Sequence, residues 1–352
     1  MQRMTEAKAA AFLLLALIPV GIGLGAFTHW HFFVETSDWF ANFILPLFFF
    51  VVGAELRAEF TSGYFRVKRN LVAPSVAAAL GVATPALLYA SVAGTKGGGW
   101  SVPTATDITL GLAVLTFARP AISAVLRPRF LALATIDDVL ALVILGLVFS
   151  KAIQLLPLAL MATALIAVFA AQRALGGLRY LAIPLGMMAV YIGWIAGIQT
   201  SLVGVALGMI FVPRGNLLVI ERANSWVVLP IFTLLVSASS GIGLSAGVYL
   251  PVLLAVLWRP FGKFLGISIG GAISAKLTSG KADFRSWSLI GLLGGIGFTV
   301  SLLLASLAFA GDPSGYVAAV IGTISAAVFC ALAFLVITRV ITRRGRRDEK
   351  SL

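Results

Sequence analysis

An all-α membrane protein with twelve transmembrane helices is the fold this sequence predicts, and three observations predict it. Only 11% of the 352 residues are charged while 60% are hydrophobic, against roughly 25% charged in soluble domains. Apolar runs of about 20 residues, the length that spans a hydrocarbon core, recur along nearly the whole chain. The basic residues alternate: of 26, all but Lys96, Lys151, Arg259 and Lys263 fall in every second connecting segment. That alternation follows the positive-inside rule and predicts a multi-pass membrane protein with both termini in the cytoplasm.

The expected spans are Ala9–Phe27, Trp39–Leu56, Leu71–Val92, Ala105–Phe117, Phe130–Ser150, Leu155–Ala171, Leu181–Ile198, Ser201–Val212, Trp226–Leu244, Val248–Ala275, Leu289–Phe309 and Tyr316–Thr338. The first follows Arg3 and Lys8; it is long for a signal peptide and lacks a small-x-small cleavage site, so it reads as an uncleaved span. The fourth and eighth are too short to cross as straight helices. The fourth opens on Ser101-Val102-Pro103-Thr104-Ala105-Thr106-Asp107, and the eleventh contains Gly294-Gly295-Ile296-Gly297-Phe298-Thr299. Proline and clustered glycine loosen a helix, and broken helices in corresponding positions of two halves point to a transporter's binding site. An inverted-repeat core with two broken crossing helices is therefore expected.

The net charge of +13 does not imply nucleic acid, because the cations sit in short loops and form no continuous face. The tail Arg343, Arg344, Arg346 and Arg347 suits an anionic inner leaflet. Membrane lipids are the expected partners. Cys330 is the chain's one cysteine, so an internal disulfide is excluded.

Within the spans, the ionisable residues are Asp107, Asp137, Asp138, Arg259 and Lys263. Each such group at a helix centre costs about 2.5–3.5 kcal/mol to insert, and three carboxylates with a lysine roughly 10–14 kcal/mol if unpaired. Helical rise places Asp138 about 12 Å from the cytoplasmic end of its span. A structural ion pair to Lys263 needs one aspartate, not two. Adjacent aspartates point about 100° apart, so one can face a cavity while the other reaches a neighbouring helix. Carboxylates are hard oxygen ligands suited to sodium, and a buried pair titrates as a unit. Sodium and protons then compete for one site. Asp107 offsets the positive ends of interrupted helices or caps one of them; both readings stand.

These stretches resemble bacterial sodium/proton antiporters of the NhaA type. The resemblance rests on Phe48-Phe49-Phe50-Val51-Val52-Gly53-Ala54-Glu55, Pro103-Thr104-Ala105-Thr106-Asp107-Ile108, Ala134-Thr135-Ile136-Asp137-Asp138, Gly262-Lys263-Phe264-Leu265-Gly266-Ile267 and Gly294-Gly295-Ile296-Gly297-Phe298-Thr299-Val300-Ser301. It implies electrogenic exchange of sodium, or lithium, for protons by alternating access, serving pH homeostasis and salt tolerance, with no cofactor and no enzymatic chemistry. It implies that Asp138 is the principal sodium ligand and proton acceptor and that Asp137 is its partner, paired to Lys263 when the site is empty. Thr106 and Asp107 match the unwound fourth helix beside the site. The implied ion-site bundle covers approximately 71–150 and 248–340, and an interface bundle approximately 9–56 and 155–244.

The chain also departs from the family. Ala58 stands where an arginine is usual and Gln199 where a histidine is common, and the loop Arg214–Asn224 is reduced. The resemblance ties these positions to pH regulation, so the pH response is not expected to carry over unchanged. Ser237 and Ser239 flank a region where asparagine is frequent. Arg259 is an addition, one turn before Lys263, and either snorkels toward lipid or contacts the site. The loop Thr28–Asp38 is too short for the family's β-hairpin, which leaves a homodimer open; His29, Trp30 and His31 in it read as an interfacial aromatic cluster. Glu55 and Glu59 form a cytoplasmic cation funnel or a solvated helix end.

A sodium-coupled symporter of an organic anion is the alternative, but no second polar cluster large enough for such a substrate is visible. An aspartyl protease needs its two aspartates on separate helices. A channel needs a filter-like carbonyl run or a ring of charge.

Overall fold

Lipid offers backbone amides and carbonyls no partner, so a chain this apolar satisfies them within helices. The computed structural model describes residues 2–28, 39–40, 42–61, 72–94, 96–118, 120–150, 153–173, 180–211, 222–243, 247–277 and 283–348, which are almost wholly helical and contain no strand. The helices are α1 (Gln2–Thr28), α2 (Leu45–Thr61), α3 (Val72–Ala93), α4 (Ile108–Leu115), α5 (Pro120–Phe149), α6 (Leu155–Arg173), α7 (Ala182–Ile195), α8 (Thr200–Ile210), α9 (Leu229–Gly243), α10 (Leu250–Leu257), α11 (Arg259–Leu277), α12 (Phe284–Gly294), α13 (Thr299–Ala308) and α14 (Pro313–Asp348). A 3-10 turn, Lys96–Thr104, precedes α4, and a π turn, Asn224–Val228, opens α9.

Among the described residues, five stretches are long and apolar enough to cross a membrane: Val72–Ala93, Ile122–Phe149, Leu155–Arg173, Leu250–Ser274 and Pro313–Ile341. The pair α12 and α13 makes a sixth if its 54° bend belongs to one broken span. The protein is thus an α-helical, multi-pass membrane protein. Shorter apolar helices lie at Ala182–Ile195, Thr200–Ile210 and Asn224–Ser239. The fifth expected span begins ten residues before its predicted Phe130, at Pro120; proline at a helix start forfeits only an amide that has no intrahelical partner there. The tenth is interrupted at Trp258. Pro260 removes an amide and crowds the carbonyl four residues back, which ends α10 and opens α11 on Arg259.

The chain divides into two compact units. The first comprises Met1–Phe12, Val67–Ala141 and Gly243–Leu352. Its centre is the pair α3 and α11, which meet along a stripe of glycines. A Cβ at Gly262 would lie 2.7 Å from Pro85 Cα, and one at Gly270 would lie 2.6 Å from Ala77 Cα. At Gly266, between them, a Cβ would strike the Leu80 carbonyl oxygen. Glycine every fourth residue lets two membrane helices approach backbone to backbone, where van der Waals packing replaces the missing hydrophobic drive.

The second unit comprises Leu13–Arg66 and Leu142–Ile242. Here α2 and α8 approach by the same device: a Cβ at Gly53, Gly204 or Gly208 would strike the carbonyl of Val205, Pro46 or Phe50, respectively. Beside them α6 and α7 close over Met161, Ala164, Val168, Ala182 and Ala189. Glu55 is exposed on α2; Arg57, two residues on, donates to the carbonyl oxygens of Met209 and Ile210 at 3.0 and 3.2 Å.

Candidate ion site

Among the described residues, the buried charges Asp107, Asp137, Arg259 and Lys263 all lie in the first unit. Glycine at 262 presses α11 against α3, so the next residue, Lys263, turns about 100° away from that contact. Its stem passes Gly81 of α3, and a Cβ there would lie 4.0 Å from Lys263 Cδ. The Lys263 ammonium donates to both carboxylate oxygens of Asp137, each at 2.9 Å. Both side chains are withdrawn from solvent, at 0% and 1% exposure. Such a pair survives without water because each ion is the other's solvent; removing one partner strands a charge. Asp138, the next residue of α5, is half-buried. The two carboxylates therefore face different surroundings, as the helical spacing requires.

Next to this pair two chain interruptions meet. After the 3-10 turn, Ala105, Thr106 and Asp107 lie outside any helix, and only the Asp107 carbonyl joins the helical ladder, accepting from the Gly111 amide at 3.0 Å. Pro103 cannot donate an amide to a continuing helix. The second interruption is Ile296-Gly297-Phe298, between α12 and α13. The Asp107 amide donates to the Ile296 carbonyl at 2.8 Å, and the Thr106 hydroxyl donates to the Gly294 carbonyl at 2.7 Å. Each interruption thereby supplies partners that the helices around it do not, the condition for irregular chain at membrane depth.

Asp107 serves two helix starts at once. Its Oδ1 accepts from the Leu110 amide at 2.9 Å, capping α4. Its Oδ2 accepts from the Thr299 amide at 3.2 Å and the Thr299 hydroxyl at 2.9 Å, at the first turn of α13. Both starts expose unpaired amides and a partial positive charge. The sequence left open whether Asp107 caps a helix or offsets the ends of several; it does both.

Arg259 also has its answer. It does not snorkel: its side chain is wholly buried. The guanidinium donates through Nη1 to Ser301 Oγ at 2.9 Å and through Nη2 to the Ala105 carbonyl. Ser301 and Thr299 were part of a recognisable motif, but nothing in a linear sequence pairs a hydroxyl with a guanidinium 42 positions away.

Of the candidate residues, Thr106, Asp107, Asp137, Asp138 and Lys263 fall in this one unit. Glu55 belongs to the other. Glu59 is helical, but its side chain lies outside the described residues, as do His29, Trp30, His31 and the loop 214–221. Gln199 is buried just before α8. Ser237 is buried, with a hydroxyl that finds no partner among the described residues, while the Ser239 hydroxyl donates to the Leu235 carbonyl at 3.0 Å.

Comparison with known proteins adds a family. The family model described as Na+/H+ antiporter 1 matches residues 7–337. A relative from Clavibacter michiganensis, named Na(+)/H(+) antiporter NhaA 2, is 33% identical over 97% of this chain and 93% of its own length. Na(+)/H(+) antiporter NhaA of Frankia casuarinae is 35% identical over 89% of this chain and 78% of its own. Another Na(+)/H(+) antiporter NhaA 2, from Rhodococcus jostii, is 34% identical over 96% and 89%. With a match over nearly its whole length, and with adjacent aspartates, one of them buried against Lys263, beside two interrupted helices, the chain belongs to the Na+/H+ antiporter 1 family.

Proposed function

We propose that this chain exchanges sodium ions for protons across the bacterial cytoplasmic membrane, presenting one buried acidic site to each side in turn. The observation that carries the reading is the buried Asp137–Lys263 pair with a second carboxylate, Asp138, on the next residue. The family and the relatives' names support the same exchange. They do not favour the symporter alternative.

In this reading Asp138 is the principal sodium ligand and proton acceptor. Asp137 holds Lys263 in the ion-free state and gives it up when a cation binds. Thr106 and Asp107 position the interrupted fourth span beside the site. Because a proton and a sodium ion satisfy the same oxygens, each expels the other. Alternating access then converts competition into exchange. If more than one proton moves per sodium ion, membrane potential contributes about 2.3 kcal/mol per elementary charge per 100 mV.

We assign the ion-site bundle to residues approximately 71–150 and 248–340, and an interface bundle to approximately 9–56 and 155–244. The division of the chain into two units supports this assignment. Twelve spans in an inverted-repeat arrangement, with both termini cytoplasmic, fit the alternation of basic segments. The paired interruptions at 105–107 and 296–298 support the repeat.

The test is direct. The chain is reconstituted in liposomes, a pH gradient is imposed, and lumenal pH is followed while sodium or lithium is added. Sodium-dependent proton efflux that vanishes in Asp138→Asn is expected. No such flux anywhere in the range about pH 6–9, which brackets shifted carboxylates, overturns the reading.

A further inference from the structure

Sodium–proton competition as derived above uses the aspartates and Lys263, yet a second fully buried cation stands beside them. Arg259 is the first residue of α11, placed there by the break that Pro260 imposes. Burying a guanidinium demands partners, and two are built in. One is the Ala105 carbonyl, just beyond the C-terminal end of the 3-10 turn; the other is Ser301 Oγ on α13. The guanidinium thus ties one interrupted span to the other.

Charge explains the choice of residue. Each interruption has an amide end and a carbonyl end. Asp107 neutralises the amide ends of α4 and α13. The carbonyl end of the turn carries partial negative charge and needs a cation. Lys263 is occupied by Asp137.

Gly297 gives independent support. Its ideal Cβ would fall on the Arg259 guanidinium itself. The chain at the second interruption is bare at the spot the guanidinium fills, so the two positions are fitted to each other.

We propose that Arg259 is a positioning residue for exchange: it holds the Ala105–Asp107 segment against α13, and so fixes Thr106 and Asp107 beside the ion site, leaving Lys263 to serve Asp137 alone. The proposal rests on the sodium/proton reading. It adds a division of labour between two cations one helical turn apart.

The experiment measures sodium-dependent proton flux in proteoliposomes made with the full chain, fitting KM for sodium and kcat separately, together with melting in detergent. Variants are Arg259→Met, Arg259→Lys, Gly297→Ala and the double variant Gly297→Ala with Arg259→Met. Losing charged hydrogen bonds of this kind corresponds to about tenfold or more. Arg259→Met is expected to raise KM and lower kcat by that factor in total, and Arg259→Lys to restore part of both. Gly297→Ala is expected to damage the wild-type background and to add little once Arg259 is methionine.

No rise in KM and no fall in kcat for folded Arg259→Met overturns the proposal, even if melting falls, because the residue is then merely structural. Equal, additive losses from Gly297→Ala in both backgrounds, in flux and in melting, also overturn it. The wild-type chain separates the two ideas. If it carries no sodium-driven flux, the exchange reading fails first and the transport role of Arg259 with it. If it exchanges normally and only the variants misbehave, the failure belongs to Arg259.

Discussion

Asp107 Oδ2 accepts two hydrogen bonds from Thr299, one from its amide at 3.2 Å and one from its hydroxyl at 2.9 Å. The residues stand 192 positions apart and belong to different interrupted spans. The same carboxylate caps α4 through its other oxygen. One side chain therefore sets the spacing of both breaks.

Asp107→Ala leaves the Leu110 and Thr299 amides and the Thr299 hydroxyl without an acceptor. Unsatisfied buried donors cost about 1–3 kcal/mol each. A fall in melting temperature and at least a tenfold loss of exchange are expected. Thr299→Val removes only the hydroxyl and should cost about 1 kcal/mol by the same scale. Melting curves of the two proteins in one detergent check the order; Thr299→Val being the worse would contradict the double cap.

Lys263→Ala strands the Asp137 carboxylate in a dry interior. Breaking a buried pair from one side costs about 3–5 kcal/mol, whereas replacing both ions with apolar groups is often neutral. Asp137→Leu combined with Lys263→Met should therefore melt closer to wild type than Lys263→Ala, while exchange stays lost. If the single variant is as stable as wild type, the pair has no role in holding the site.

Gly266→Ala places a methyl group against the Leu80 carbonyl of α3. Overpacking of this kind costs about 1–3 kcal/mol. Gly23, whose Cβ would meet nothing within 4 Å, serves as the control: Gly23→Ala should be neutral or mildly stabilising. Comparing both melting temperatures tests whether the stripe is a packing seam.

Away from the buried site, Arg129 Nη1 donates to Asp283 Oδ2 at 2.7 Å, and Asp283 Oδ1 caps α12 by accepting from the Ser286 amide at 3.1 Å. Partial burial pushes the Asp283 carboxyl up, but bonds from Ser286 and Arg129 outweigh it and hold it below the usual range. A lowered carboxyl contributes stability above its unfolded value of about 3.9, and the contribution disappears as pH falls through the folded value. Asp283→Asn should thus melt earlier at neutral pH, with the difference fading below about pH 4. A difference that grows on acidification would contradict that sign.

Much of this site was legible in the sequence because charges in apolar runs are conspicuous. Asp107, Asp137, Asp138 and Lys263 stood out by cost alone, and the two interruptions were marked by Pro103 and by Gly294, Gly295 and Gly297. What stayed hidden was pairing in space. That Asp107 serves Thr299, or that Arg259 turns inward to Ala105 and Ser301, depends on how two broken spans cross. Neither hydropathy nor spacing encodes that. The break at Trp258 was readable in principle from Pro260, but the apolar run continued across it and masked the signal.

The seam of Gly262, Gly266 and Gly270 has a consequence for movement. With carbonyls of one helix lodged on the bare backbone of the other, α3 and α11 interlock like meshed cogs. Sliding or rolling either one past its neighbour would drive oxygen into Cα. The backbone that carries Lys263 is therefore coupled to α3, whatever its side chain does. A shift of either rod must carry the other with it, and that rigidity comes from nothing more than missing methyl groups.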